Sequence, residues 1–120
     1  MGFFRKEVID FALDHETRRA VEEQRAAIAA DPADPRPYFR LAALYRMQWR
    51  QEEALGLLLE AVRLDPRFAA AHAALSEIYA ARNDRSLAGR HAEAAAALGD
   101  SSALERLRRY GLLPPPGESS

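Results

Sequence analysis

Along residues 35–68, PRPYFRLAALYRMQWRQEEALGLLLEAVRLDPRF, the apolar positions follow a helical period. Tyr38, Leu41, Ala42 and Tyr45 recur at i, i+3, i+4 and i+7, which is one face of an α-helix. After the short Gln48-Trp49-Arg50-Gln51 link the pattern resumes at Ala54, Leu58 and Ala61, predicting antiparallel helices at about 36–48 and 51–64. Small residues at Ala42, Ala54 and Ala61 let the two helices approach closely, while Tyr45 and Leu58 fill the space between them. Moving these residues forward by 34 positions lands on His72, Leu75, Ser76, Tyr79, Ala88, Ala92 and Ala95. Moving back by the same step lands on Phe4, Glu7, Val8, Phe11, Ala20, Gln24 and Ala27, a weaker match that needs no insertion. Such a period indicates stacked helix–turn–helix units, none able to bury its apolar face alone.

Local signals divide the rest of the chain. Asp31-Pro32-Ala33-Asp34-Pro35 ends one helix and starts the next, because proline stops a helix interior yet is tolerated in a first turn, with Asp34 as N-cap. Helices are predicted at about 69–82 and 85–98, separated by Asn83-Asp84-Arg85 with Asp84 as N-cap. Gly99 suits a left-handed helix terminus, and Asp100-Ser101-Ser102 caps a last helix running to Tyr110. In the first unit, Phe4, Val8 and Phe11 place a helix at about 3–13, and Asp14 is the expected N-cap of a second from about 15 to 30. The repeat register asks for a turn near His15, where no strong breaker stands; two helices are therefore the expectation and one continuous helix the alternative.

The Tyr38-x2-Leu41-Ala42-x2-Tyr45 run, followed by Ala54, Leu58, Ala61 and the closing Asp65-Pro66, resembles the tetratricopeptide repeat family. The third unit departs from the family at His72 and Asp100, and the first at Glu7 and Gln24. The resemblance implies an all-α fold, a tetratricopeptide-like array of stacked antiparallel helix pairs in a right-handed superhelix with a C-terminal capping helix. It divides one domain, 1–111, into a degenerate repeat at 1–34, repeats at 35–68 and 69–102 and a capping helix at 103–111, leaving 112–120 as a mobile tail.

Composition narrows the function classes. A net charge of −1 offers no field for the many phosphates of a nucleic acid. Without cysteine there are no disulfides and no thiolate chemistry. The start MGFFRKEVIDFALDHE interrupts its aromatic pair with charges at once, no later run approaches a membrane span, and the cytoplasm is the default location. His15, His72 and His91 share no i, i+4 face, so no metal is expected; His72 is read as filling a helix-interface slot and His91 a partly exposed one. Adjacent acids such as Glu52-Glu53 point about 100° apart on a helix and read as solvated faces. Neither a nucleophile elbow nor a glycine-rich phosphate loop occurs, and a non-enzymatic protein without cofactor is the expectation. Arg18-Arg19 and Arg106/Arg108/Arg109 read as surface charges.

Candidate chemistry lies on the opposite helix face. Arg36, Arg40, Ala43 and Met47 stand at i, i+4, i+7 and i+11, away from the apolar stripe, with Phe39 beside them. One repeat later the row reads Ala70, Ala74, Glu77 and Ala81; one repeat earlier it includes Ile9, flanked by Arg5. In the family this face lines a concave groove that receives a peptide or a partner helix. The resemblance therefore implies a small adaptor or scaffold whose binding residues are Arg5, Ile9, Arg36, Phe39, Arg40, Ala43, Met47, Ala74 and Glu77. Its partner would be another protein, with an acidic segment or C-terminal carboxylate held by arginine forks. The lysine and asparagine clamp by which one subclass holds chaperone C-termini has no asparagine at the corresponding places here. The alternative is a self-associating structural module, a homodimer joined through the apolar N-terminal end at Phe3, Phe4 and Ile9.

Overall fold

The computed structural model describes residues 2–113, and side chains from residue 14 onward. Within that span the chain forms six helices and no strand: α1 (Gly2–Ala30), α2 (Pro35–Met47), α3 (Gln51–Leu64), α4 (Ala69–Ala81), α5 (Arg85–Ala97) and α6 (Ser102–Arg109). α2 and α3 pair, as do α4 and α5. α1 packs on α2 as α3 packs on α4, and α6 closes over α4 and α5.

The caps read at Asp34 and Asp84 are in place, whereas Asp14, also expected to cap a helix, lies within α1. Asp34 accepts a hydrogen bond from the Arg36 N–H at 3.0 Å and precedes Pro35 in the first helical position. Asp84 does the same for Leu87 N–H at 3.2 Å. Each hairpin turn is closed by one device, a hydrogen bond that spans five residues past a left-handed residue. Arg50 N–H donates to Tyr45 O and Asp84 N–H to Tyr79 O, both at 2.9 Å, across Trp49 and Asn83, each with φ of 60°. Asp100 N–H to Ala95 O at 2.9 Å and Leu112 N–H to Leu107 O at 2.8 Å repeat it across Gly99 and Gly111.

The first unit differs from the expectation of two helices: α1 is one continuous helix of 29 residues. Counting back one repeat from Trp49 reaches His15, so the left-handed turn would have to form there. A residue other than glycine gives up roughly 1–2 kcal/mol to enter that conformation. In the second unit the Leu41 and Leu58 contact offsets it, both side chains being almost fully buried. In the first unit those two slots hold Glu7 and Gln24, so the burial gained by folding back is smaller and the helix runs on.

Alanine sets the spacing inside the pairs: Ala54 and Ala61 on α3, and Ala88, Ala92 and Ala95 on α5, are all 0% exposed. Leu41, Tyr45, Leu58, Leu75 and Ile78 fill the first core cluster, with Val21 of α1. A second cluster joins Ala88, Ala92, Ala103 and Leu107, and Leu112 and Leu113 pack against it. Those two leucines are thus docked, where a mobile tail was expected from residue 112. Gly89 makes the room, since a Cβ there would meet Leu113 Cδ2 at 3.0 Å. The rest of that tail, residues 114–120, lies outside the described residues.

The loops between units are tied back in matching ways. Tyr38 donates its hydroxyl hydrogen to Pro32 O at 2.9 Å, and one repeat on His72 Nε2 makes the same contact with Pro66 O at 2.9 Å. A carbonyl only accepts, so the His72 Nε2 carries a proton. His72 Nδ1 and His91 Nδ1 lie 3.1 Å apart at hydrogen-bond distance, while the His91 ring stacks on Tyr79 at 5.7 Å. His91 is partly exposed, as expected, and lies against a second histidine on the neighbouring helix. Burial first, then the charges of His72 and Arg90, push its pKa below the ordinary 6.5.

Two outcomes are expected. Trp49→Gly should raise stability by about 1 kcal/mol without changing the denaturant m-value, read by circular dichroism, because it removes the left-handed strain from an exposed position. Between the lowered folded pKa of His91 and 6.5 the unfolded chain binds more protons, so stability is full above that window and falls as pH drops through it. His91→Leu, which installs the residue of the equivalent slot at Leu57, should flatten this acid-side loss in melts from about pH 7.5 to about pH 5.

Candidate functional site

The face opposite the packed stripe is formed by α2, α4 and α6 side by side. Phe39, Ala43 and Arg46 of α2, Leu58 of α3 and Ala74 of α4 line a notch of about 50 Å³. Phe39 is held from behind by Phe68, its ring centroid 5.1 Å away and tilted by 40°. A second, larger notch of about 170 Å³ follows between α4 and α6, walled by Ser76, Ala80, Ala103, Leu107, Tyr110 and Leu112. Ser76 is almost fully buried, and its hydroxyl has no hydrogen-bond partner. Small side chains on α4, Ala74 and Ala80, keep both notches open, and the apolar walls suit aliphatic or aromatic side chains.

Glu77 stands between the notches as an electrostatic bridge. Arg46 reaches it from α2 at 3.2 Å, and Arg106 pairs with its other carboxylate oxygen from α6. One carboxylate thus positions two guanidinium groups, leaving one unit of positive charge in the trio. All three side chains remain about one-third to one-half exposed, so the pairs are screened and their worth lies in orientation.

Of the residues predicted for this face, Phe39, Ala43 and Ala74 come together in the first notch, and Glu77 joins the two. Arg40 is exposed on the same helix and has no bonded partner among the described residues; Met47 lies at the helix end, 69% exposed. Arg36 is already engaged. Its Nε and Nη2 donate to the two oxygens of Asp34 at 3.0 and 2.8 Å, and those bonds hold the Asp34 pKa down to about 2. The Arg36 fork is therefore spent on the helix cap. The side chains of Arg5 and Ile9 lie outside the described residues. Arg46, Arg106 and Tyr110 were missed in the sequence, although acid and base separated by 31 and 29 positions, just short of one repeat, were the available signal.

Among the described residues no group of three or more histidines or acids is placed to hold a metal, and no helix is long and apolar enough to cross a membrane. A wide depression of about 610 Å³ between α1, α2 and α3 is crossed by the Arg50–Glu53 pair and the Arg50 stack on Tyr45, which occupy its polar groups.

Among solved structures, the Sgt2 TPR domain from Aspergillus fumigatus matches with a TM-score of 0.68 and 21% identity, over 96% of this chain and 85% of that one. The TPR2B domain of yeast Sti1, in a complex with pHsp70, matches with a TM-score of 0.66 and 22% identity, over 88% of this chain and 85% of that one. At this identity the likeness is one of fold. No curated protein matches the chain. A family model described as tetratricopeptide repeat matches residues 14–90, from the second half of α1 into α5. That is well over half of the sequence, and the chain belongs to the tetratricopeptide repeat family.

Proposed function

We propose that the chain is a non-enzymatic interaction module whose α2–α4–α6 face takes an acidic peptide or helix from another protein. The observation that carries this reading is the pair of apolar notches on either side of a glutamate that aims two arginines. An apolar side chain of the partner enters each notch. A carboxylate between or beside them meets Arg40 and the outer edges of Arg46 and Arg106, where charge-assisted bonds add direction to apolar burial. Tyr110 and Met47, both largely exposed, give the partner apolar surface at the two ends. The solved structure of the yeast Sti1 domain holds pHsp70, which supports a protein ligand for this fold. The absent asparagine clamp favours a different sequence here.

A displayed library of random peptides tests the reading. Selected binders should combine an aliphatic or aromatic anchor with Asp or Glu a few residues away. Ala43→Trp, which fills the first notch, should weaken them at least ~10-fold, a loss of about 1.4 kcal/mol. Glu77→Gln should weaken them less, by releasing the arginines, and Arg36→Ala should leave affinity unchanged. Binders without acidic residues, or insensitive to Ala43→Trp, would sink the proposal.

A further inference from the structure

The second half of α1 is the outer helix of a repeat whose inner helix is missing from its side. The repeat register makes this visible. Ala54, Leu58 and Ala61 of α3 are 0, 1 and 0% exposed beneath α2, and Ala88, Ala92 and Ala95 of α5 are all 0% exposed beneath α4. Their counterparts on α1, Ala20, Gln24 and Ala27, are only partly buried. Meanwhile Val21 and Ile28, on the side turned to α2, pack into the core as Leu55 and Val62 of α3 do. The open strip therefore has the composition and position of a surface meant for one more helix.

The sequence of that helix is present in the chain. Phe4, Val8 and Phe11 occupy the slots of Tyr38, Ala42 and Tyr45, so residues 2–13 carry the face an inner helix needs. Because α1 runs straight through His15, this segment extends ~18 Å beyond the strip and cannot cover it within the same molecule. An independent observation concerns Gln24, whose side-chain oxygen is buried without a hydrogen-bond partner. Its slot is that of Leu58, and the slot of Leu41, in the same core cluster, belongs to Glu7. Laying the inner-helix segment over the strip in the repeat register sets the Glu7 slot opposite Gln24, an acceptor opposite an amide that can donate. The two residues that break the apolar pattern are thus complementary once the helices meet.

We infer that two copies of this chain form a dimer by exchanging the N-terminal halves of α1, each laying residues 2–13 over Ala20, Gln24 and Ala27 of the other. The exchange is isologous: two continuous helices run antiparallel, cross near His15 and cover one strip each, so the assembly closes at two. It requires no left-handed turn at His15, the step that α1 avoids. It also brings Arg5 and Ile9 of the partner subunit to the α2 end of the groove, beside Phe39 and Arg40, completing a row that one chain leaves short.

Light scattering on the full chain over a concentration series should give twice 13.4 kDa. His15→Gly supplies a residue at ease in the left-handed turn and should shift the equilibrium toward a folded monomer with similar helix content. Since the chain has no cysteine, Glu7→Cys and Gln24→Cys proteins can be prepared separately, mixed and treated with a short bismaleimide; a covalent heterodimer is expected. A monomer at all concentrations would overturn the inference. So would a dimer that ignores His15→Gly and gives no cross-link in the mixture, since its interface would lie elsewhere. A double-cysteine chain that links only within itself would show that α1 folds back. Ala43→Trp should leave the dimer intact, which keeps failure of the groove distinct from failure of the exchange.

Discussion

The α2–α3 and α4–α5 hairpins of this chain each depend on one residue entering the left-handed region so that the next N–H can reach back five positions to a carbonyl. Where that closure forms, at Trp49, Asn83 and Gly99, the next helix folds back on the last, and at Gly111 it turns Leu112 and Leu113 onto the second core cluster. Where it does not form, at His15, the chain stays straight and a face is left half-covered. The turn is a local event, but its outcome is decided by what the two arms gain on contact. Leu41 against Leu58 repays a strained tryptophan; Glu7 opposite Gln24 does not repay a strained histidine.

The same logic orders the face formed by α2, α4 and α6. Because the inner helices stand side by side at a spacing set by alanine, side chains one repeat apart become neighbours, and Arg46, Glu77 and Arg106 link three helices through a single carboxylate. The arrangement is built from partly solvated charges, so it contributes little to stability while fixing where two guanidinium groups point. Apolar notches flank it because Ala43, Ala74 and Ala80 withhold bulk there. One residue type thus serves opposite ends, close contact on one face and empty space on the other.

Much of the fold was legible because its signals are local or strictly periodic. Asp34 and Asp84 announce themselves as caps by position before a helical stripe, and the alanine set at 54, 61, 88, 92 and 95 follows from a fixed step. Continuity of α1 was not legible, since it rests on a comparison of turn strain with tertiary burial that no window of sequence contains. The His72–His91 contact was hidden for a related reason: the residues lie 19 positions apart on different helices, and only the pairing of the Tyr38 and Leu57 slots brings them together. On the α2–α4–α6 face, that Ala43 and Ala74 share one notch follows from their repeat positions, whereas the commitment of Arg36 to its own cap depends on rotamers that composition does not reveal.

The chain's single tryptophan sits on the strained α2–α3 turn with 86% of its surface exposed. Its indole is hydrated in the native state as it would be in an unfolded chain, so its emission is nearly blind to global denaturation. Tyr38, Tyr45 and Tyr79, packed within the helix pairs, are the chromophores whose near-ultraviolet signals follow loss of packing. The tryptophan instead serves as a reporter of the outside of the molecule: a blue shift in its emission would mark a second surface arriving at that turn, with the core undisturbed.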